Sequence, residues 1–184
     1  MIEARVQESG GIPKQESPVE RARRLSKRIS DDKQLSTFLD SEIGVNRANQ
    51  EVESLFSNIE EIVTAITAEG GRINPGCKRN ERRGLDIYCA GYNISISWAC
   101  PARNTLHNSR LYVDLSKRDR FSSSFERPRR IAAHKFNFDL RLPDRYGWSR
   151  VVGDKRFFTS EQLASHCVEL LLKRIQQDGL WKQQ

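Results

Sequence analysis

The hydrophobic residues of this chain follow a helical period, then a period of two, then a helical period again. Over residues 50–68, Val52, Leu55, Phe56, Ile59, Ile62, Val63 and Ile66 fall within ~120° of a helical wheel, with Glu51, Glu53, Glu60 and Glu61 outside that arc. This predicts a helix docked along one stripe, closed by Gly70-Gly71. Past the diglycine, Ile73–Gly76 reads as a turn and Cys77–Gly84 as a basic loop. Leu85, Ile87 and Cys89 then alternate with Asp86 and Tyr88, and Ile94, Ile96 and Trp98 with Asn93, Ser95 and Ser97. Leu111, Val113 and Leu115 alternate with Tyr112 and Asp114. Phe136, Phe138, Leu140 and Leu142 alternate with Lys135, Asn137, Asp139 and Arg141, with His134 marking a frayed start. Each is the pattern of a strand with one apolar face. Residues 148–158 read as a hairpin about a two-residue Gly153-Asp154 turn. Thr159-Ser160-Glu161-Gln162 is a capping box, and the helix it opens is apolar over close to half its circumference, from Leu163 to Ile175.

Short connections imply antiparallel pairing, because parallel neighbours need crossovers of about a dozen residues or more. One apolar sheet face must be covered, and two amphipathic helices supply the cover. The expected fold is therefore α+β: an antiparallel five- to six-stranded sheet with an N-terminal-side helix and a C-terminal helix on one face, a two-layer sandwich preceded by a short helical extension. The large inward residues Trp98, Phe136, Phe138 and Trp148 argue that the space between the layers is filled.

The domain reading follows. Residues 1–16 have no period and read as a disordered tail, 17–46 as a helical extension and linker, 47–178 as the α+β body and 179–184 as a tail. Ser17-Pro18-Val19-Glu20 is a strong helix start. Val19, Ala22, Leu25 and Ile29 share one side of that helix, and Arg21, Arg23, Arg24, Lys27 and Arg28 take the other. Ser30-Asp31-Asp32 is expected to interrupt it, with another turn or two around Leu35, Phe38 and Leu39. Ile43-Gly44-Val45-Asn46 reads as the linker.

Composition narrows the function classes. No apolar run of about 18 residues exists, so no membrane partner is expected. The first residues carry charge and glycine where a signal peptide needs an apolar segment, which makes a cytoplasmic location the expectation. Cys77, Cys89, Cys100 and Cys167 contain no closely spaced ligand pair, so a zinc site built from them with His107 is disfavoured. Cys89, Cys100 and Cys167 are expected to be small buried hydrophobes. No nucleotide-binding or serine-hydrolase motif is present, and no cofactor is expected.

Charge is the feature that points outward. Residues 1–71 carry 9 Lys/Arg against 13 Asp/Glu, a balance of −4, whereas residues 72–184 carry 22 against 11, a balance of +11. The basic residues cluster as Arg79, Arg82 and Arg83, then Lys117, Arg118 and Arg120, then Arg127, Arg129 and Arg130, the last two groups flanking Phe121–Phe125. Arginine forks match phosphate oxygens and nearby aromatics stack on exposed bases, so nucleic acid is the leading partner class. The expectation is a non-enzymatic binding module that works within a multi-component assembly. Two alternatives stand beside it. A metal-dependent nuclease would use Asp86 with Asp114 and Lys117, although the acid and lysine are three residues apart and face opposite sides of a strand. An interaction adaptor would bind a protein partner through residues 17–45, with Val19, Leu25 and Ile29 as its contacts.

Overall fold

A computed structural model describes residues 17–80, 84–101, 105–118, 128–141, 145–153 and 156–179. The chain divides into two compact units, Met1–Leu35 and Ser36–Gln184. The first helix, α1, runs from Pro18 to Leu39. Its start is a reciprocal cap: Ser17 Oγ accepts from the Glu20 amide at 3.2 Å, and the Glu20 carboxylate accepts from the Ser17 amide at 2.9 Å. Ser30-Asp31-Asp32 does not interrupt α1. Serine and aspartate cost a helix interior only some tenths of a kcal/mol each, roughly 0.5, and no glycine or proline accompanies them.

α2 spans Glu42–Ala68, so Ile43–Asn46 is its first turn and not a linker. Ser41 caps it, accepting from the Gly44 amide at 3.0 Å while its hydroxyl donates to the Phe38 carbonyl at 2.7 Å. A Cβ on Gly44 would stand 2.2 Å from that carbonyl oxygen, so this close corner requires glycine.

Seven strands follow: β1 Gly76–Asn80, β2 Gly84–Cys89, β3 Tyr92–Ala99, β4 Arg110–Lys117, β5 Arg129–Arg141, β6 Arg145–Arg150 and β7 Phe157–Phe158. They pair antiparallel in chain order as a meander that curls into a half-barrel. α3, Ser160–Gln177, ends the fold. The sheet's inner face carries Leu85, Ile87, Ile94, Ile96, Trp98, Leu111, Val113, Leu115, Phe136, Phe138, Trp148 and Phe158, all buried. α2 brings Val52, Leu55, Phe56, Ile59 and Val63 to the same core, and α3 brings Leu163, Cys167, Val168, Leu171 and Ile175. Each such side chain contributes about 1.5–3 kcal/mol. Trp148 sits at the centre, edge-on to Trp98 at 5.6 Å and to Phe138 at 5.3 Å, so the predicted filling by large aromatics holds.

The mixed α and β composition and antiparallel sheet are as expected, but the strand number is seven, not five or six. β1 occupies part of the expected basic loop, pairing along its whole length with β2. Arg79 faces the helical layer there, its guanidinium 5.7 Å from the Phe56 ring centroid and bonded to Glu53 and Glu60 of α2 at 2.5 and 2.7 Å. The β6–β7 connection is longer than a two-residue turn, because the register pairs Trp148 with Phe158 and Ser149 with Phe157. β5 begins five residues before His134, after a register shift at Leu115/Ser116, so His134 is mid-strand and not a frayed end. Cys89 and Cys167 are buried, and burial pushes the Cys167 thiol up to about 12. Cys100 is only half-buried. No helix among the described residues is long and apolar enough to cross a membrane.

Two predictions arise from this core. Ser160 is buried; its hydroxyl accepts from Trp148 Nε1 at 3.1 Å and donates to Glu51, joining β6, α3 and α2. Ser160→Ala strands the indole donor and costs about 1–3 kcal/mol in urea unfolding. The second concerns acid. Burial, reinforced by the Arg150 guanidinium, holds the His134 and His166 imidazoles below their ordinary value. The unfolded chain therefore binds protons first as pH falls. Stability is complete above about pH 6.5 and declines below it, and His134→Asn with His166→Asn flattens that decline across unfolding curves from about pH 7.5 to 5.5.

Candidate nucleic-acid interface

The β2–β3 turn shapes the first candidate site. Ala90 and Gly91 both take positive φ, +50° and +82°, the conformation a two-residue hairpin turn demands. The Gly91 carbonyl accepts from the Arg118 amide at 2.9 Å, which ties the end of β4 to this corner. Between them lies a shallow pocket of about 400 Å³ lined by Tyr88, Asn93, Ser116, Arg118 and Pro128. Register explains the grouping: Gly76, Tyr88, Asn93, Ser116 and Arg130 are successive cross-strand neighbours on the solvent side of five strands. The Tyr88 ring rests on β1, where a Cβ on Gly76 would approach it to 2.5 Å, yet Tyr88 remains 51% exposed. The row thus presents an aromatic face, an amide, a hydroxyl and the Arg130 guanidinium.

The predicted basic residues divide by environment. Arg118 lines the pocket and is exposed, and Arg129 and Arg130 are exposed on β5 at the same end of the sheet. Arg130 is bonded to Asp114 through Nη2 and Nε. Lys117 turns to the other face and bonds Asp178 at 2.7 Å, lying over the Tyr92 ring at 5.0 Å. That contact and the Tyr92 hydroxyl hold the Asp178 carboxyl below its ordinary range. Arg79 is engaged by α2 as described. Arg82, Arg83, Arg120 and Arg127 lie outside the described residues. Val19, Leu25 and Ile29, on α1, are 62%, 48% and 69% exposed.

The residues considered for metal chemistry are not brought together. Asp86 and Asp114 both face solvent but flank Ser95 on β3, so two strand spacings, about 10 Å, separate their backbones. Lys117 is on the opposite face, and Asp114 holds Arg130. Cys77 and Cys89 lie on β1 and β2, Cys100 follows the far end of β3, and His107 bonds Asp40 at 2.9 Å. Among the described residues no group of three His, Cys, Asp or Glu is placed to hold an ion.

Tyr88 is absent from the basic clusters that charge alone picks out. The signal for it was in the alternation, which puts this large ring on a polar face between Ile87 and Cys89. Comparison with known proteins yields no match to this chain among family models, curated proteins or solved structures.

Proposed function

We propose that the chain is a non-enzymatic binding module whose body engages single-stranded nucleic acid at the Tyr88 corner. The observation carrying this reading is the half-exposed Tyr88 ring beside Arg118 in a shallow pocket, on the part of the chain whose charge balance is +11. A ring in a shallow pocket accepts an unstacked base, and base–aromatic stacking contributes about 1–3 kcal/mol per base. Asn93 and Ser116 offer hydrogen bonds to base edges. Arg118 supplies a phosphate contact. The test is fluorescence anisotropy with a labelled single-stranded oligonucleotide. Tyr88→Ala should weaken binding roughly ten- to hundredfold. Arg118→Gln should lower the slope of log affinity against log salt by about one. Wild-type affinity in Tyr88→Ala, or binding indifferent to salt, would sink the proposal.

The exposed Val19, Leu25 and Ile29 favour a second reading, in which α1 recruits a protein partner into a larger assembly. No residue of α1 is buried, so Leu25→Asp with Ile29→Asp should leave the melting temperature unchanged while abolishing capture of a partner from native lysate. Capture that survives both changes would refute it.

A further inference from the structure

Residues 23–30 of α1 repeat one tetrapeptide pattern, Arg23-Arg24-Leu25-Ser26 and then Lys27-Arg28-Ile29-Ser30. Each serine follows an aliphatic residue and has cations three and two positions before it. Carboxylates in the cleft of an arginine-directed kinase read that spacing through charge-assisted hydrogen bonds to the two cations. On a helix those two positions lie ~60° and ~160° around the axis from the acceptor, so both cannot enter one cleft beside it. The segment must open to be read. Every residue from Arg21 to Ser30 is exposed and no residue of α1 is buried, so opening gives up no core contact. Helical stability unsupported by burial is marginal in water, which keeps the cost of opening low.

Exposure separates these serines from another hydroxyl with a similar approach. Lys155 and Arg156 stand four and three residues before Thr159, yet Thr159 closes the α3 capping box and follows the buried Phe158. Extending the chain there would break the cap and draw a ring out of the core. Ser26 and Ser30 also stand where a new charge has an effect. On the helical wheel they lie about 20° to either side of Val19. Ser26 therefore falls within the apolar arc from Val19 through Ala22 and Ile29 to Leu25, and Ser30 borders it. α1 carries 6 Lys/Arg against 3 Asp/Glu, a balance of +3. Each phosphate adds about −1.5 to −2, so two of them cancel or reverse that balance.

We propose that Ser26 and Ser30 are phosphate-acceptor sites for an arginine-directed serine kinase, and that phosphate there opposes docking of α1. In the transfer the serine Oγ bonds the γ-phosphorus of ATP as that phosphorus parts from the β,γ-bridging oxygen. ADP leaves, and the hydroxyl proton passes to a carboxylate of the kinase. The effect on docking rests on the reading of α1 as a partner-binding helix: a doubly charged group within its stripe repels an apolar surface. Incubation of the full chain with ATP and a purified arginine-directed serine kinase, followed by peptide mass mapping, tests the assignment. Phosphate is expected on Ser26 and Ser30, with Thr159 left unmodified. Arg23→Gln with Arg24→Gln should slow modification of Ser26 about tenfold or more. Both arginines are exposed, and thermal melting of the variant checks the fold. The modified chain should then lose the partner that the unmodified chain captures, and phosphatase treatment should restore it. Incorporation needs no partner, so it decides the acceptor assignment even where the unmodified chain captures nothing and the α1 reading itself fails. Two results would overturn the assignment: both serines left unmodified by a kinase that modifies a peptide of residues 17–33, or Ser26 modified at the wild-type rate in the folded arginine variant. Capture undiminished by full modification would overturn the effect on docking.

Discussion

Everything functional on this protein depends on a sheet that is greasy on one side only. α2 and α3 roof that side, and the small buried network of Trp148, Ser160 and Glu51 pins the three layers of contact to one another. Slipping any strand by one residue would exchange the faces, driving Ser95, Ser97 and Asp114 inward and expelling Ile94, Ile96 and Val113. The cost of that exchange fixes the register. The register in turn aligns Tyr88, Asn93 and Ser116 on the solvent side, so the candidate interface is a consequence of core burial and needs no dedicated scaffold.

Much of this was legible in the chain. The stripe from Val52 to Ile66 and the alternation of Tyr92–Trp98 each admit one reading, since many apolar positions repeat at one period. β1 was hidden for the opposite reason. Cys77 is its single apolar side chain, and the other inward position is filled by Arg79, whose stem covers Phe56 while Glu53 and Glu60 hold its head. Those carboxylates are 26 and 19 residues away, beyond any local pattern. The bounds of β7 carry no sequence signal because two residues have no period, and the length of its connection depends on pairing with β6.

The two candidate sites differ in the same way. Tyr88 could be found by asking which aromatic falls on a polar face. The paired serines are legible as a repeat in α1, but their access is not, because the similar basic approach to Thr159 ends in a cap beside a buried ring. What a basic run does is decided by the fold around it.

This inverts the usual inference from charge clusters. Of the arginines and lysines that stand in dense runs, Arg79, Lys117 and Arg130 are each matched by a carboxylate from another element, so their contribution to the outward field is reduced at close range. Arg47 and Arg141, far apart in sequence, are instead seated on the ring faces of Tyr146 and Phe157, and Arg47 is also matched by Glu51. Arg141 also lies twelve residues beyond Arg129, about 40 Å of strand, so the two basic regions are screened from each other at physiological salt, where the Debye length is about 8 Å. They therefore act as separate electrostatic sites. A net balance of +11 describes neither of them; what a ligand meets is set by how the fold pairs each charge.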